Sequence, residues 1–263
     1  MIFVENGRLR TGADVKTAVT MLEGLGVDVI GLNCGLGPKQ MIEYVKELRK
    51  WTSLPIAVQP NAGLPVSVNG KTVFNVEPEE FAQDMKEIAK LGVSYLGGCC
   101  GTTPEHIRQM IALCMDIPAN EPESKNYCLV SSYSETVDLG EKPKIIGERI
   151  NPTGKKLFKE ALRRNDIDYI IKEGIAQRDA GAHILDVNVG LPEIDECKMM
   201  EDAVYNLQAV LPTPLQIDTT NIAALERALR VYNGKPMLNS VYGKQKNMEE
   251  VFPLAKKYGS VVV

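Results

Sequence analysis

Three cysteines carry the sharpest chemistry in this sequence of 263 residues. Cys34 closes the apolar run Val27-Asp-Val-Ile-Gly-Leu-Asn. Cys99 and Cys100 stand side by side in Gly-Gly-Cys-Cys-Gly-Thr-Thr-Pro, where a later apolar run gives out. A bridge between adjacent cysteines is geometrically awkward, and six cysteines in a chain of this length are too few for a disulfide scaffold. Three thiolates can instead hold a zinc ion tetrahedrally and leave the fourth position open, as a catalytic site requires. A substrate thiol taken at that position would be deprotonated near neutral pH, because the metal favours thiolate over thiol. Such a centre suits alkyl transfer to sulfur. Cys114, Cys128 and Cys197 fall in helical or connecting stretches and read as packing residues.

A second set of polar residues runs through the later half. Glu148 and Asn151 lie in Gly-Glu-Arg-Ile-Asn-Pro-Thr-Gly, Asp186 and Asn188 in Asp-Val-Asn, Asp218 in Ile-Asp-Thr-Thr and Asn239 in Asn-Ser. Each motif follows an apolar run. One Asp or Asn in that position is often a helix cap, but a succession of four points to a shared rim. An ionised carboxylate accepts paired hydrogen bonds from adjacent N–H groups, and a carboxamide meets a mixed donor–acceptor edge. Together they suit a heterocycle with amidine-like N–H donors and carbonyl acceptors, which describes a pterin.

To stand on one rim, these residues need an alternating scaffold. Strands are expected at 27–34, 56–59, 93–100, 144–148, 183–189, 215–218, 237–241 and 261–263. Helices are expected at 39–51, 78–91, 166–179, 196–211, 221–232 and 248–258, with another opening at Thr103 as N-cap and Pro104 as first residue. Strand and helix in turn, with short connections, predict an α/β fold with parallel sheets, whose active residues gather at the carboxyl ends of the strands. Residues 117–143, rich in Pro, Ser and Glu, break the rhythm and read as a linker. Neither flank holds the eight strands and roughly 250 residues of a closed (β/α)8 barrel. Each is either a small doubly wound sheet or part of a TIM-type barrel. The expectation is the latter: 1–116 the C-terminal part of one barrel and 144–263 the N-terminal part of the next.

Three motifs, Gly-Leu-Asn-Cys34-Gly-Leu-Gly-Pro, Gln-Pro-Asn61-Ala-Gly-Leu-Pro and Gly-Gly-Cys99-Cys100-Gly-Thr-Thr-Pro-Glu-His, resemble the homocysteine-binding module of homocysteine S-methyltransferases. The resemblance implies that the three cysteines hold zinc, that homocysteine sulfur takes the open position, and that Asn61 borders the substrate. The later motifs look like the pterin-binding domain shared by methionine synthase, dihydropteroate synthase and corrinoid-protein methyltransferases. That implies a pterin ring bound by Asp218 and Asn239, with Glu148, Asn151, Asp186 and Asn188 lining its mouth. The two modules in series resemble the N-terminal half of the cobalamin-dependent methionine synthase family over essentially the whole chain. The implied reaction passes a methyl group from 5-methyltetrahydrofolate, by way of cobalamin, to zinc-bound homocysteine. Methylcobalamin would be bound by a separate domain, since no Asp-x-His-x-x-Gly motif occurs in this sequence. Two other readings stand beside this one: a catalytically inert part of such an enzyme, and a dihydropteroate synthase-like pterin-binding protein, in which the cysteines have no purpose.

Composition is that of an ordinary globular protein, 44% hydrophobic and 24% charged. With 30 basic and 34 acidic residues and no basic cluster, nothing marks a nucleic-acid surface. Apolar runs are strand length, short of the roughly 20 residues that span a bilayer. The first residues lack the pattern of a signal peptide, so a cytoplasmic location is expected. His106 is expected to be exposed in a first helical turn and His183 to sit at a strand edge. Arg149 and Lys244 are charged neighbours of the second site with no assigned role.

Overall fold

A computed structural model describes residues 1–3, 7–121, 123–140 and 142–263. Two compact units emerge: Met1–Glu23 with Val27–Asn126, and Gly24–Gly26 with Tyr127–Val263. Among the described residues, no helix is long and apolar enough to cross a membrane.

The first unit runs α1 (Val15–Gly24), β1 (Ile30–Asn33), α2 (Pro38–Trp51), β2 (Ile56–Gln59), a hairpin of β3 (Val66–Val68) and β4 (Lys71–Val73), α3 (Pro78–Lys90), β5 (Tyr95–Leu96) and α4 (Pro104–Cys114). Strands β1, β2 and β5 form a parallel sheet with β2 in the middle. Period-two alternation turns Ile30, Leu32, Ile56 and Val58 to one face. There they meet Met41, Val45 and Leu48 from α2 and Phe81, Met85 and Ile88 from α3, whose spacings of three and four place them on one helical stripe. Strand β5 is shorter than the expected 93–100. Its successors still bond to the neighbouring backbone, through Gly97 N to Val58 O, but leave regular ladder geometry at the Gly97-Gly98 pair.

The second unit opens with a hairpin of β6 (Leu129–Ser131) and β7 (Thr136–Asp138), inside the stretch expected to be a linker. It continues as β8 (Ile146–Ile150), α5 (Lys156–Arg163), α6 (Ile167–Asp179), β9 (Ile184–Val187), α7 (Glu196–Val210), β10 (Leu215–Asp218), α8 (Ile222–Val231), β11 (Met237–Asn239), α9 (Gln245–Tyr258) and β12 (Val261–Val262). Strands β8 to β12 lie side by side in chain order, all parallel. Leu185, Val187, Leu215, Ile217 and Leu238 face helix residues such as Met200, Val204 and Leu207 in a continuous core. The other sheet face is graded. Near the strand starts Ile184 and Met237 pack on Val130 of the hairpin. Near the strand ends the same face presents Asp186, Gln216, Asp218 and Asn239.

The hairpin is fastened by buried Tyr232, which donates its hydroxyl proton to Ser131 O at 2.9 Å and accepts from Leu215 N at 3.1 Å. Ser131 also pairs with Lys235. A polar segment with no sustained periodicity thus becomes a floor, because Val130 and the Ser131 backbone find partners distant in sequence. Helices α1 and α5 are additions to the expected set; Val15, Ala18, Val19 and Phe158, Ala161, Leu162 give each a buried stripe.

Candidate functional site

The middle strand of the first sheet organises the cysteines. Beyond β2, residues 59–62 keep hydrogen bonding where regular pairing stops. Gln59 O accepts from Cys34 N at 3.0 Å, Pro60 O from Cys99 N at 2.7 Å, and Asn61 Oδ1 from Cys100 N at 3.1 Å, while Ala62 N donates to Cys100 O at 2.9 Å. One four-residue segment is the template for all three. Cys34 has φ +63°, in the left-handed region that non-glycine residues seldom occupy, so the chain bends sharply as β1 ends. After the vicinal pair, Gly101 has φ +79°, and a Cβ there would lie 2.4 Å from Cγ of Phe74; only glycine lets this turn close.

The result is a compact sulfur cluster. Cys34 Sγ and Cys99 Sγ each lie 3.8 Å from Cys100 Sγ, and all three are within 4.8 Å of one another. Tetrahedral zinc with thiolate bonds of about 2.3 Å spaces its sulfurs ~3.8 Å apart, so two of the three edges already have the length that zinc needs. Burial pushes the Cys34 thiol up, but hydrogen bonds from the Gly35 backbone, Cys100, Cys99 and Asn61 outweigh it and leave it below the usual thiol value. Cys100 is pushed up to about 11 by its hydrogen bonds to Cys34 and Cys99 and by their charge. Three thiols this close oppose one another's ionisation, and a cation bound among them would relieve that opposition. Asn61, only 3% exposed, directs its side chain at this cluster.

His106 corrects the expectation of an exposed side chain. It is buried, its Nδ1 accepts from Thr103 N at 3.2 Å, and Nε2–H donates to Val76 O at 3.0 Å. Its ring meets Phe81 edge-on at 5.4 Å. With both nitrogens satisfied, burial leaves no polar group unpaired, and His106 anchors the helix that follows the cysteines.

In the second unit, the polar strand ends are not helix caps. Those duties fall to Asp166, Asp195 and Asn221, which accept from Tyr169 N, Lys198 N and Ala223 N. Asp186 and Asn188 share one face of β9 and its extension, and Gln216 and Asp218 share the matching face of β10; register pairs Gln216 with Asp186 and Asp218 with Asn239. Asn188 Nδ2 donates to Asp218 Oδ2 at 2.9 Å, Gln216 Nε2 donates to Asp186 Oδ1, and Asn239 also bonds to Asp186. They form two hydrogen-bonded groups on one sheet face, Asn188 with Asp218 and Asp186 with Gln216 and Asn239. Glu148 stands at their margin, exposed and paired with Lys155 at 3.3 Å. The Asn151 side-chain oxygen is occupied by Thr153 N at 2.9 Å. Arg149 pairs outward with Glu173 at 3.0 Å, and Lys244 lies 5.7 Å from the Tyr242 ring centre. His183 accepts from Ile145 N at 3.1 Å.

Burial pushes the Asp186 carboxyl up to about 6, with Asp218 and Glu148 adding to the rise against hydrogen bonds from Gln216 and Asn239. A carboxyl raised on folding binds its proton more tightly in the native state, so stability falls as pH climbs from about 4 to about 6 and stays reduced above that. Asp186→Asn is therefore expected to melt higher than wild type at pH 7.5, with the gap closing toward pH 4. A melting series over that range checks this; a constant gap would locate the effect elsewhere.

Gln216 was not singled out from the sequence, although Leu-Gln-Ile-Asp repeats, one strand later, the alternation of Leu-Asp-Val-Asn.

Residues 1–114 match the family model described as homocysteine S-methyltransferase, and residues 147–263 match that described as pterin binding enzyme. The chain is 34% identical to the methionine synthase of Mycobacterium leprae over 270 aligned positions and 33% identical to that of Mycobacterium tuberculosis over 265. Both alignments take in 98% of this chain, which spans 22% of each relative's length. Among solved structures, Xanthomonas albilineans dihydropteroate synthase aligns at 16% identity and a TM-score of 0.38, covering 50% of this chain and 48% of that one, a superposition too loose to define a shared fold.

Proposed function

We propose, for a chain that carries homocysteine S-methyltransferase sequence followed by pterin-binding sequence, that it forms adjoining parts of two TIM-type barrels in a cobalamin-dependent methionine synthase. On this reading residues 1–116 and 144–263 are the barrel parts and 117–143 connects them. The observation that carries the reading is the trio of sulfurs at the strand ends, two of whose three edges have the spacing that zinc needs.

Cys34, Cys99 and Cys100 would hold the zinc. When bound, zinc supplies the positive charge that keeps a coordinated thiol ionised near neutral pH. The protein's own contribution is to hold the three sulfurs ready: residues 59–62 fix their backbones, and the Asn61 side chain accepts from Cys100 N. Homocysteine is the thiol that this centre receives. In the second unit Asp218 and Asn239 would accept and orient the pterin ring of 5-methyltetrahydrofolate, with Asp186 and Asn188 holding them in place and Glu148 and Asn151 at the mouth. A cobalamin-binding domain or subunit would be the partner that visits both sites and carries the methyl group between them.

Calorimetric titration of the zinc-loaded chain tests the assignment. Homocysteine and 5-methyltetrahydrofolate are each expected to bind once per chain, neither displacing the other. Binding of methylfolate by a folded chain that takes up no zinc would favour the dihydropteroate synthase-like reading, and binding of neither would overturn the proposal.

A further inference from the structure

Gln216 is 6% exposed, and its two amide atoms have unlike fates. Nε2 donates to Asp186 Oδ1, while Oε1 has no hydrogen-bond partner among the described residues. The two residues sit directly opposite one another on β9 and β10. Below them the same sheet face is apolar, with Ile184, Met237 and Val130. Above them stand Asp218 and Asn239. The unfilled carbonyl is closed off from solvent, on the strand level where the apolar floor meets the polar rim. Buried carbonyls in folded proteins rarely lack a donor, and each exception calls for a reason.

We infer that Gln216 is a positioning residue of the pterin site: its amide N–H fixes one oxygen of Asp186, so that this buried carboxylate in turn holds Asn239 toward the ring, and its carbonyl goes unpaired because the side chain is oriented by that one donation. The inference rests on the pterin reading of the second unit. It extends the sequence expectation, which named Asp186, by adding the residue directly opposite it on β10. The charged groups facing Asp186 are Asp218 on β10 and Glu148 on β8, the latter already held by Lys155; β11 contributes the uncharged Asn239. Beside two carboxylates, the Gln216 N–H and Asn239 are the hydrogen-bond partners that favour the ionised form of Asp186.

Two substitutions separate this role from simple packing. Gln216→Met keeps the length and removes both amide atoms. Gln216→Glu restores a donor and an acceptor only while its acid is protonated. 5-Methyltetrahydrofolate is titrated into each full chain between pH 5.5 and 8, and the Asp186 carboxyl is followed by carbon NMR without ligand. Gln216→Met is expected to bind at least tenfold more weakly and to move the Asp186 midpoint upward. Gln216→Glu is expected to approach wild-type affinity at pH 5.5 and to lose tenfold or more by pH 8. A packing role would lower affinity equally at every pH and leave the Asp186 midpoint in place, which would overturn the inference. If wild type binds methylfolate and both variants match it throughout, the inference fails while the pterin reading stands. If wild type and Asp218→Ala alike fail to bind, the pterin reading fails and takes the inference with it.

Discussion

Cys99→Ser is expected to strip zinc from the folded chain. Serine keeps the size of the side chain but replaces a soft thiolate with an alcohol that stays protonated near neutral pH, and the sulfur edge of 3.8 Å to Cys100 disappears. Removing a residue that merely supports a ligand costs roughly ten- to a hundredfold in metal affinity, so losing a ligand itself should exceed the top of that range. Elemental analysis after gel filtration should give one zinc per wild-type chain and close to none for Cys99→Ser, with Cys34→Ser and Cys100→Ser behaving alike. Cys114→Ser supplies the control, since Cys114 is the buried last residue of α4, outside the cluster. Far-ultraviolet circular dichroism should be unchanged in all four, because the backbone bonds that shape the turn come from residues 59–62 rather than from sulfur. Equal zinc in wild type and Cys99→Ser would remove the metal centre from the account.

Asp218→Ala is expected to weaken 5-methyltetrahydrofolate binding by roughly ten- to a hundredfold, the value of one charge-assisted hydrogen bond of about 1.5–3 kcal/mol. One oxygen of Asp218 is engaged by Asn188 at 2.9 Å, which holds the carboxylate in place, and on the proposed reading the other would meet the ring. The alanine variant also releases the Asn188 amide, so Asn188→Ala should show a smaller loss of the same kind. Zinc content ought to be untouched by either change, because the cysteines belong to the other unit. Binding within threefold of wild type in Asp218→Ala would show that the ring is held elsewhere.

Much of this was legible in the sequence, for local reasons. Strands 56–59 and 215–218 fall where expected because short β-branched and leucine runs are bounded by Pro, Asp and Thr. Helix starts at Asp166, Asp195 and Asn221 coincide with residues whose side chains satisfy the first free amides. The convergence of Cys34 with Cys99 and Cys100 followed from parallel topology, which brings successive strand ends to one edge. What escaped notice depends on partners distant in sequence. Nothing near Val130 announces that it will floor a sheet whose wall includes Met237. His106 looks like any polar residue in a first turn until the Val76 carbonyl arrives to bury it. The part played by residues 59–62 is written in backbone hydrogen bonds, which side-chain identity does not reveal. Gln216 was hidden differently: a glutamine inside a strand reads as an ordinary polar position until its register with Asp186 is known.

Sulfur coordination of the zinc-loaded chain, counted by X-ray absorption before and after homocysteine is added, tests the central claim most directly. Three sulfurs near 2.3 Å and one lighter ligand are predicted without substrate, and four sulfurs with it, the fourth coming from homocysteine. Four sulfurs from the start, or a count that homocysteine leaves unchanged, would contradict an open zinc–trithiolate centre at Cys34, Cys99 and Cys100.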